Sequence, residues 1–448
     1  MDFSDAYRYS GPVPAFSPDG RFVASVAEYR LIIREVETMR VVQLYSCLDR
    51  VDSIEWSANS IYVLCGIFSR GTIQVWSVES SEWSCKIDEG PAGVAAVRWS
   101  PDGCSVLVVA EFALRVTVWS LTDRKCRYLR GPKHVDRGVA FSADGAHMAV
   151  LERSDMKDWA SVYDTRTWSE AAHFQLSTSD AADLAWSPEG CVLAVWDSCL
   201  KYKVVLVNPR NGSPLATYSA YDHEALGVKL CSWSPAGELL AVGSFDRCAR
   251  LLDHVTWQPL LTAEHPQAVT APAGVLVFRE VRGRELGWGA GEPDEPAVPA
   301  SRLHDPAARS SYVLADLPAS VPFAKPALDA PSPKLGVGRC AWSGDGRYLA
   351  TLEDSSGNAV WLWDLTAMEL VAVLLHLAPV TDLAWGPRGS TLALVTGTNK
   401  VFLWTPGGAT IAMLPLPTLQ AFGCCWNNTA TTLLLRGPEA FCCCYLTA

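Results

Sequence analysis

An all-β fold is predicted for this chain of 448 residues, in the form of a single closed β-propeller with about nine four-stranded blades. Three features predict it: a short phrase that recurs along the chain, a β-rich segment after each copy, and a repeat length close to that of one propeller blade. Known propellers have roughly four to eight blades, so a ring of seven or eight blades with one degenerate unit is the alternative.

The recurring phrase is an aromatic residue followed by Ser, often Pro or Ala, an acidic or polar residue, and Gly. β-Branched and aromatic residues favour a half-buried strand, whereas Pro-Asp-Gly favours a tight turn, so each copy indicates a hairpin. Nine copies, three of them degraded, begin at Phe16, Trp56, Trp99, Phe141, Trp186, Trp233, Trp342, Trp385 and Trp426. Successive copies begin 40 to 47 residues apart, except for 109 residues between the sixth and the seventh. That long interval indicates an insertion.

Each copy is followed by a β-rich segment, which we interpret as the third strand of a blade. The nine segments begin at Leu31, Ile73, Val116, Ser161, Val204, Arg250, Val360, Val401 and Phe441. The last segment lies so near the end of the chain that its blade lacks a fourth strand, and residues 3–9 are predicted to supply it. Because a single blade cannot cover its own apolar faces, the blades are expected to stack around one axis.

Three segments are predicted along the chain: blades one to six in residues 1–265, an insertion in residues 266–337, and blades seven to nine in residues 338–448. The insertion contains 11 of the 28 prolines, a density that interrupts regular sheet. Short strands are nevertheless predicted at residues 274–278 and 311–314, and residues 283–309 are expected to be mobile.

The overall composition argues against nucleic acid and membranes as partners. With 37 Lys and Arg against 48 Asp and Glu, the net charge of -11 has the wrong sign for general attraction to phosphate backbones or anionic lipid. The most apolar window, residues 359–380, contains Asp364 and Glu369, so two neighbouring strands explain it better than membrane insertion. Fifteen cysteines without framework spacing and an N-terminus without a secretion signal predict a reducing, cytoplasmic location.

No catalytic residue, cofactor or metal site is predicted, although some propellers carry such chemistry on their axis. The eight histidines show no His-Glu-x-x-His spacing. Cys424, Cys425 and the run from Cys442 to Cys444 are the most suggestive cluster, but no Cys-x2-Cys pair occurs and free cysteine packs as a small hydrophobic residue. We therefore interpret these thiols as core residues.

Candidate partner-binding residues lie in two places. Trp83, Lys86, Asp88 and Glu89 follow a third strand, where an outer strand and a loop are expected, and an aromatic residue among charges suits an interface. Packing of Trp83 between blades is the equally weighted alternative.

The second place is Tyr163-Asp-Thr-Arg166, which resembles the Trp-Asp-x-Arg box by which some WD-repeat proteins dock on cullin-4 ubiquitin ligase adaptors. It makes a substrate receptor of a cullin-type ligase the alternative function, with Asp164 and Arg166 as contacts. Asp is common in turns, so a turn role for both residues is the favoured interpretation.

Seven stretches outside the phrase resemble the family of WD-repeat protein eight, also called WRAP seventy-three. They are residues 44–49 (LYSCLD), 54–57 (IEWS), 82–90 (EWSCKIDEG), 191–197 (CVLAVWD), 217–221 (TYSAY), 240–244 (LAVGS) and 253–257 (DHVTW). The resemblance extends from the first repeat to the last and includes the position of the insertion. One departure from the broader WD pattern is that Trp-Asp ends a strand only at Trp363-Asp364, so the usual Asp-His-Ser-Trp hydrogen-bond tetrad is expected to be mostly absent.

The resemblance implies a WD40-type propeller that acts as a non-enzymatic protein-interaction scaffold at the centrosome, spindle pole, centriolar satellites or basal body. It further implies a role in anchoring microtubule minus ends and in spindle and cilium assembly. The partners it implies are a coiled-coil centrosomal protein like the SSX-interacting protein and, as in fungi, a minus-end-directed kinesin. Loops on both faces of stacked blades agree with such a role in kind.

Overall fold

The computed structural model describes residues 1–223, 225–270, 274–282, 309–327, 329 and 333–446. Within these ranges the chain forms β-strands and no α-helix, so none of these residues belongs to a helix that could cross a membrane. Short 3-10 turns occur at Phe68–Arg70, Gly90–Ala92, Glu111–Ala113 and Asp354–Ser356.

Nine sheets, each with four antiparallel blade strands, confirm the all-β propeller prediction and the count of nine blades. The first three blades consist of β3 (Ala15–Phe16), β4 (Phe22–Ala27), β5 (Arg30–Glu35) and β6 (Val41–Ser46); β7 (Ser53–Trp56), β8 (Tyr62–Ile67), β9 (Thr72–Ser77) and β10 (Ser84–Asp88); and β11 (Ala96–Trp99), β12 (Ser105–Val109), β13 (Arg115–Ser120) and β14 (Cys126–Arg130). Blades four to six consist of β15 (Val139–Phe141), β16 (His147–Ser154), β17 (Lys157–Asp164) and β18 (Glu170–Gln175); β19 (Ala181–Trp186), β20 (Leu193–Asp197), β21 (Val204–Val207) and β22 (Pro214–Tyr218); and β23 (Val228–Trp233), β24 (Leu239–Ser244), β25 (Cys248–Asp253) and β26 (Pro259–Glu264).

The last three blades follow the insertion. They consist of β31 (Val337–Trp342), β32 (Tyr348–Glu353), β33 (Ala359–Asp364) and β34 (Glu369–Leu375); β35 (Asp382–Trp385), β36 (Leu392–Val395), β37 (Lys400–Thr405) and β38 (Gly408–Met413); and β39 (Gly423–Trp426), β40 (Thr432–Arg436) and β41 (Ala440–Tyr445). The remaining strands are β1 (Asp2–Phe3), β2 (Tyr7–Arg8), β27 (Ala268–Val269), β28 (Leu276–Arg282), β29 (Ser310–Leu314) and β30 (Ala319–Ser320). All nine predicted third strands lie in β5, β9, β13, β17, β21, β25, β33, β37 and β41.

The structure explains both the aromatic residue and the Ser of the recurring phrase. The aromatic residue is the last residue of the first strand in every blade. The Ser hydroxyl that follows accepts the backbone N–H five residues later, as in the 2.9 Å bond from Phe22 N to Ser17 Oγ. The bond closes the turn into the second strand and satisfies a backbone donor that the turn would otherwise leave unpaired. It recurs at Ser57, Ser100, Ser142, Ser187, Ser234 and Ser343.

Indole hydrogen bonds join neighbouring blades, in addition to the stacking of apolar faces that the sequence predicts. Trp385 Nε1 donates to the Ala341 carbonyl at 2.9 Å, and Trp426 Nε1 donates to the Ala384 carbonyl at 2.9 Å. Each acceptor is the residue just before the aromatic residue of the preceding blade. The same bond is made by Trp56, Trp99, Trp186 and Trp233.

One blade retains most of the hydrogen-bond tetrad that the sequence predicts to be mostly absent. The Thr351 hydroxyl lies 2.8 Å from His265 Nε2 and accepts the Trp363 indole N–H at 2.9 Å. His265 Nδ1 lies 2.8 Å from the Arg247 carbonyl oxygen. Trp363 belongs to the Trp-Asp pair that the sequence singles out, so that signal and this bonding coincide.

The insertion extends the seventh blade. β28 pairs with the outer strand β34 in parallel, β29 pairs with β28, and the seventh sheet therefore has six strands. These strands match the two predicted at residues 274–278 and 311–314, whereas nearly all of the segment predicted to be mobile, residues 283–308, lies outside the described residues. The division of the chain at residues 265 and 337 stays a prediction.

Buried polar contacts hold the insertion strands in place. Lys400 Nζ lies 3.0 Å from Glu280 Oε1, and both side chains are buried. The Tyr312 hydroxyl lies 2.8 Å from His376 Nε2. Phe278 and Tyr312 also belong to the hydrophobic cluster between the seventh and eighth blades. The insertion is therefore part of the core in this region.

The ninth blade takes its fourth strand from the other end of the chain. β1 pairs antiparallel with β41, with Asp2 opposite Tyr445 and Phe3 opposite Cys444. Ser4 N donates to the Cys443 carbonyl at 2.9 Å, and Cys443 N donates to Ser4 Oγ at 2.9 Å. The pairing begins one residue before the predicted stretch of residues 3–9.

By its contacts the chain divides into two compact units. One unit comprises Arg8–Leu240 and His254–Gln258, and the other comprises Met1–Tyr7, Ala241–Asp253 and Pro259–Ala448. In each unit, hydrophobic clusters fill the space between adjacent sheets, as between blades one and two or between blades eight and nine.

Candidate partner-binding surfaces

The outer strand of the second blade borders an open groove. β10 is hydrogen-bonded along one edge, to β9, and Lys86 and Asp88 on it are exposed. A groove of about 400 Å³ separates this strand from the end of β13 and the following turn, including Trp119 and Arg124. Trp83 is half-buried at the rim, with its ring 4.7 Å from that of Tyr62. Trp83 also packs against the hydrophobic cluster between the second and third blades, as its alternative interpretation expects, and lines the groove.

Glu89, predicted with these residues, is instead a buried structural acid. Its carboxylate accepts the Thr117 hydroxyl at 2.5 Å, the Trp119 indole N–H at 2.9 Å and the Arg115 guanidinium at 3.1 Å. Only 6% of Glu89 is exposed, so its carboxylate is saturated with internal donors and is not presented to a partner. The partner-binding role of Trp83, Lys86 and Asp88 stays a prediction.

Asp164 and Arg166 lie in the turn between β17 and β18. The Asp164 carboxylate accepts the backbone N–H groups of Arg166 and Thr167, both at 2.9 Å. The bond from Thr167 N–H, with further bonds from the turn, holds the pKa of Asp164 below its usual value. Asn208 and Asp364 accept the backbone N–H two residues later in the corresponding turns of other blades. Asp164 is therefore a turn residue of the repeat, and Arg166 is exposed beside it.

A row of exposed apolar side chains was missed by the sequence analysis. Phe112 and Leu114, Met156, and Leu200 occupy the loops between the second and third strands of blades three, four and five, and are between 71% and 88% exposed. Because these loops connect equivalent strands, they share one end of the three sheets. Phe112 and Met156 have φ angles of 58° and 62°, in the left-handed region that favours glycine. The chain thus accepts backbone strain where it exposes these side chains.

Comparison with known proteins establishes the family. Over its whole length, the chain is 41% identical to the mouse (Mus musculus) WD repeat-containing protein WRAP73, of which the alignment covers 96%. The chain belongs to the WRAP73 family.

More distant relatives agree with this WRAP73-family assignment. The family described as WD domain, G-beta repeat matches residues 212–253. An uncharacterized WD repeat-containing protein of Schizosaccharomyces pombe is 23% identical, with 88% of this chain and 78% of that protein covered. Among solved structures, the C-terminal WD40 domain of Sif2 aligns with a TM-score of 0.53 and 11% identity, covering 100% of this chain and 99% of that one, which is a likeness of fold alone. As a WD-repeat protein of the WRAP73 family, the chain is a protein-interaction scaffold.

Most of the cysteine cluster of this WRAP73-family chain lies in its core, but Cys425 is exposed, so the interpretation of these thiols as core residues is wrong at Cys425. Cys424 and the run from Cys442 to Cys444 are buried, and burial raises the pKa of Cys443 to about 12 and that of Cys444 to about 11. Thiols with such raised pKa values carry little of the reactive thiolate at neutral pH. Across the described residues, no group of three His, Cys, Asp or Glu side chains is placed to hold a metal ion.

Proposed function

We propose that this WRAP73-family chain is a non-catalytic scaffold of a centrosome, spindle-pole or basal-body complex that anchors microtubule minus ends and supports spindle and cilium assembly. In this proposal the chain acts in the cytoplasm and cytoskeleton, including centriolar satellites. Its partners are a coiled-coil centrosomal protein resembling the SSX-interacting protein and a minus-end-directed kinesin. Nucleic acid and membrane insertion have no part in it.

The row of exposed apolar loop residues is the observation that carries the proposal. Large exposed apolar side chains grouped on one end of a soluble protein mark contact sites for other proteins. Apolar residues at the loop tips of three successive blades could contact the continuous apolar stripe of a helical, coiled-coil partner. Attraction to the acidic surface of tubulin is disfavoured by the net charge of -11, so the microtubule contact is assigned to the partners.

Proximity labelling in dividing and ciliated cells tests the proposal. The wild-type chain is expected to label coiled-coil proteins of the centrosome or centriolar satellites. A chain with Phe112→Ser, Met156→Ser and Leu200→Ser is expected to lose that labelling at an unchanged protein level. Val255→Ser serves as the matched control, because Val255 is 69% exposed but lies in a turn between third and fourth strands. Absence of centrosomal proteins from the wild-type sample would refute the proposal.

The alternative function, a substrate receptor of a cullin-type ubiquitin ligase, depends on Arg166. Its guanidinium is exposed, whereas Asp164 is engaged by the turn. The alternative requires that the purified chain bind the ligase adaptor and that Arg166→Ala abolish the binding. Arg210, two residues after the turn residue Asn208, offers a matched control in Arg210→Ala. Binding that survives Arg166→Ala, or no binding by the wild-type chain, removes this alternative.

A further inference from the structure

The outer strand of the first blade exposes an uncharged apolar edge. β6 has the sequence Val-Val-Gln-Leu-Tyr-Ser, with neither a charged residue nor a proline. Gln43 and Tyr45 point toward the second blade, where the Tyr45 hydroxyl donates to the Ser77 carbonyl at 2.5 Å. Val41, Val42 and Leu44 are between 45% and 55% exposed. β6 is paired only along the edge that faces β5.

The outer strands of blades two to six are protected in ways that β6 is not. An open edge presents unpaired backbone groups, and proteins guard such edges with charged residues and proline. Lys86 and Asp88 lie on β10, Arg127 and Arg130 on β14, Glu170 on β18, Pro214 on β22, and Pro259 and Glu264 on β26. Leu44 occupies the position of Lys86, since each directly precedes the buried residue of its outer strand, Tyr45 in β6 and Ile87 in β10.

An equally apolar outer strand in the same chain is covered by an added strand. After its first residue, β34 reads Leu-Val-Ala-Val-Leu-Leu, and β28 pairs with it in parallel, placing Val277 opposite Val373. Val373, which precedes the buried anchor Leu374 as Leu44 precedes Tyr45, is fully buried beside this added strand. The molecule therefore shows one occupant of an apolar outer edge of its blades: an extended segment that begins with the apolar residues Leu276, Val277 and Phe278.

The exposed apolar surface continues beyond β6. Tyr29 and Leu48 are 44% and 47% exposed, and Cys47 N donates to the Tyr29 carbonyl at 2.7 Å, which joins the two loops. Together with Val41, Val42 and Leu44 they form one patch, which we name the first-blade edge. A patch of this kind on a strand with a free edge combines main-chain donors and acceptors with apolar contacts.

We propose that the first-blade edge binds an extended segment of a partner protein, which adds to β6 as a fifth strand and packs aliphatic side chains on Val42 and Leu44. Main-chain hydrogen bonds to β6 supply affinity, and the apolar patch selects alternating aliphatic residues in the partner. The absence of charge on β6 argues against recognition of a charged ligand. This inference goes beyond the proposed function, because it holds for whichever complex contains the chain.

Other blades provide conservative substitutions for testing the edge. Val41 pairs with Arg34, the first residue of β5 after the bulge in the β5–β6 pair. Pro214 and Pro259 occupy the corresponding position in their own blades, opposite Val207 and Leu252. Val41→Pro and Leu44→Lys therefore place on β6 residues that this chain already carries at equivalent positions. Both changes guard the edge without disturbing the buried face of Tyr45.

Site-specific photo-crosslinking in cells tests the inference. p-Benzoylphenylalanine replaces Val42 in the full chain, and crosslinked peptides are identified by mass spectrometry. The expected crosslinked product is a peptide of another protein with aliphatic residues at every second position. The yield of this product should fall at least about tenfold in the double variant Val41→Pro with Leu44→Lys. The same photo-crosslinker at Leu260, on the guarded strand β26, is the control and is expected to yield no such peptide.

Several outcomes would overturn the inference. They are a peptide from a second copy of the chain, a peptide with apolar residues at every third or fourth position, a lipid adduct, or no adduct above the Leu260 control. Persistence of the adduct in the guarded variant would also overturn it, provided that the thermal unfolding midpoint matches wild type. If the double variant unfolds early, Leu44→Lys alone is used. Centrosomal labelling of the wild-type chain is scored separately, so failure of the proposed function is distinguishable.

Discussion

Two buried histidines should make this protein sensitive to mild acid. His265 and His376 are each 4% exposed, and burial lowers the pKa of each to about 4 from its usual 6.5. Their contacts fit the neutral ring with the proton on Nδ1. His265 Nδ1 faces the Arg247 carbonyl, and His376 Nδ1 faces the Asn358 carbonyl. The other ring nitrogens face the hydroxyl groups of Thr351 and Tyr312, from which they accept.

The direction of the effect follows from these pKa values. Between pH 6.5 and 4 the unfolded chain binds a proton at each histidine while the native chain does not, so the free energy of unfolding falls as the pH falls. Relative to neutral pH, each histidine lowers the free energy of unfolding by about 2 kcal/mol at pH 5 and by about 3 kcal/mol at pH 4. Stability from this source is complete above pH 6.5.

Urea unfolding at pH 7.5, 6, 5 and 4.5 measures this loss. The wild-type chain is compared with His376→Gln, whose amide preserves hydrogen-bonding groups without titrating. His254→Gln, at an exposed position, is the control. The His376→Gln protein is expected to be less stable than wild type at pH 7.5 but to lose about 2 kcal/mol less between pH 7.5 and 5. Equal losses in the two proteins would refute the reasoning.

Three further predictions concern stability. Burial raises the pKa of Glu55 to about 7, so its charged carboxylate destabilises the native protein at high pH. Glu55→Gln should therefore raise the free energy of unfolding by about 1 kcal/mol at pH 8, after allowance for partial exposure. Urea titrations at pH 8 and below pH 4.5 check this, and the gain should vanish at the lower pH. Trp385→Phe removes the interblade indole bond and should cost about 1 kcal/mol in the same assay; a thermal midpoint unchanged from wild type would contradict it. Lys400→Met leaves the Glu280 carboxylate buried and unpaired, so it should lower the free energy of unfolding by about 3 kcal/mol. In the double variant, Glu280→Gln should restore most of that stability. Losses of stability that simply add in the double variant would contradict the ion-pair account.

Much of the fold could be predicted because each blade carries its own local chemistry. The phrase at Phe16 contains a strand end, a Ser that closes the turn and a Gly with positive φ, all within five residues. The course of the insertion could not be predicted, because β28 pairs with β34 across a long separation in sequence and neither strand specifies that partner. A parallel added strand has no turn signal to predict it. The recurring phrase therefore identifies the blades but not what is added to them.

The candidate site shows the same division between local and distant signals. Asp164 could be interpreted as a turn residue from its neighbours alone, and its bonds to Arg166 and Thr167 agree. Glu89 could not be understood this way, because its partners Thr117 and Trp119 lie on the third strand of the next blade. Glu89 and His265 both directly follow an outer strand, and each bonds to the next blade. At these two positions the residue after the outer strand faces inward, so partner contacts of these blades should be sought on the open edges and loop tips.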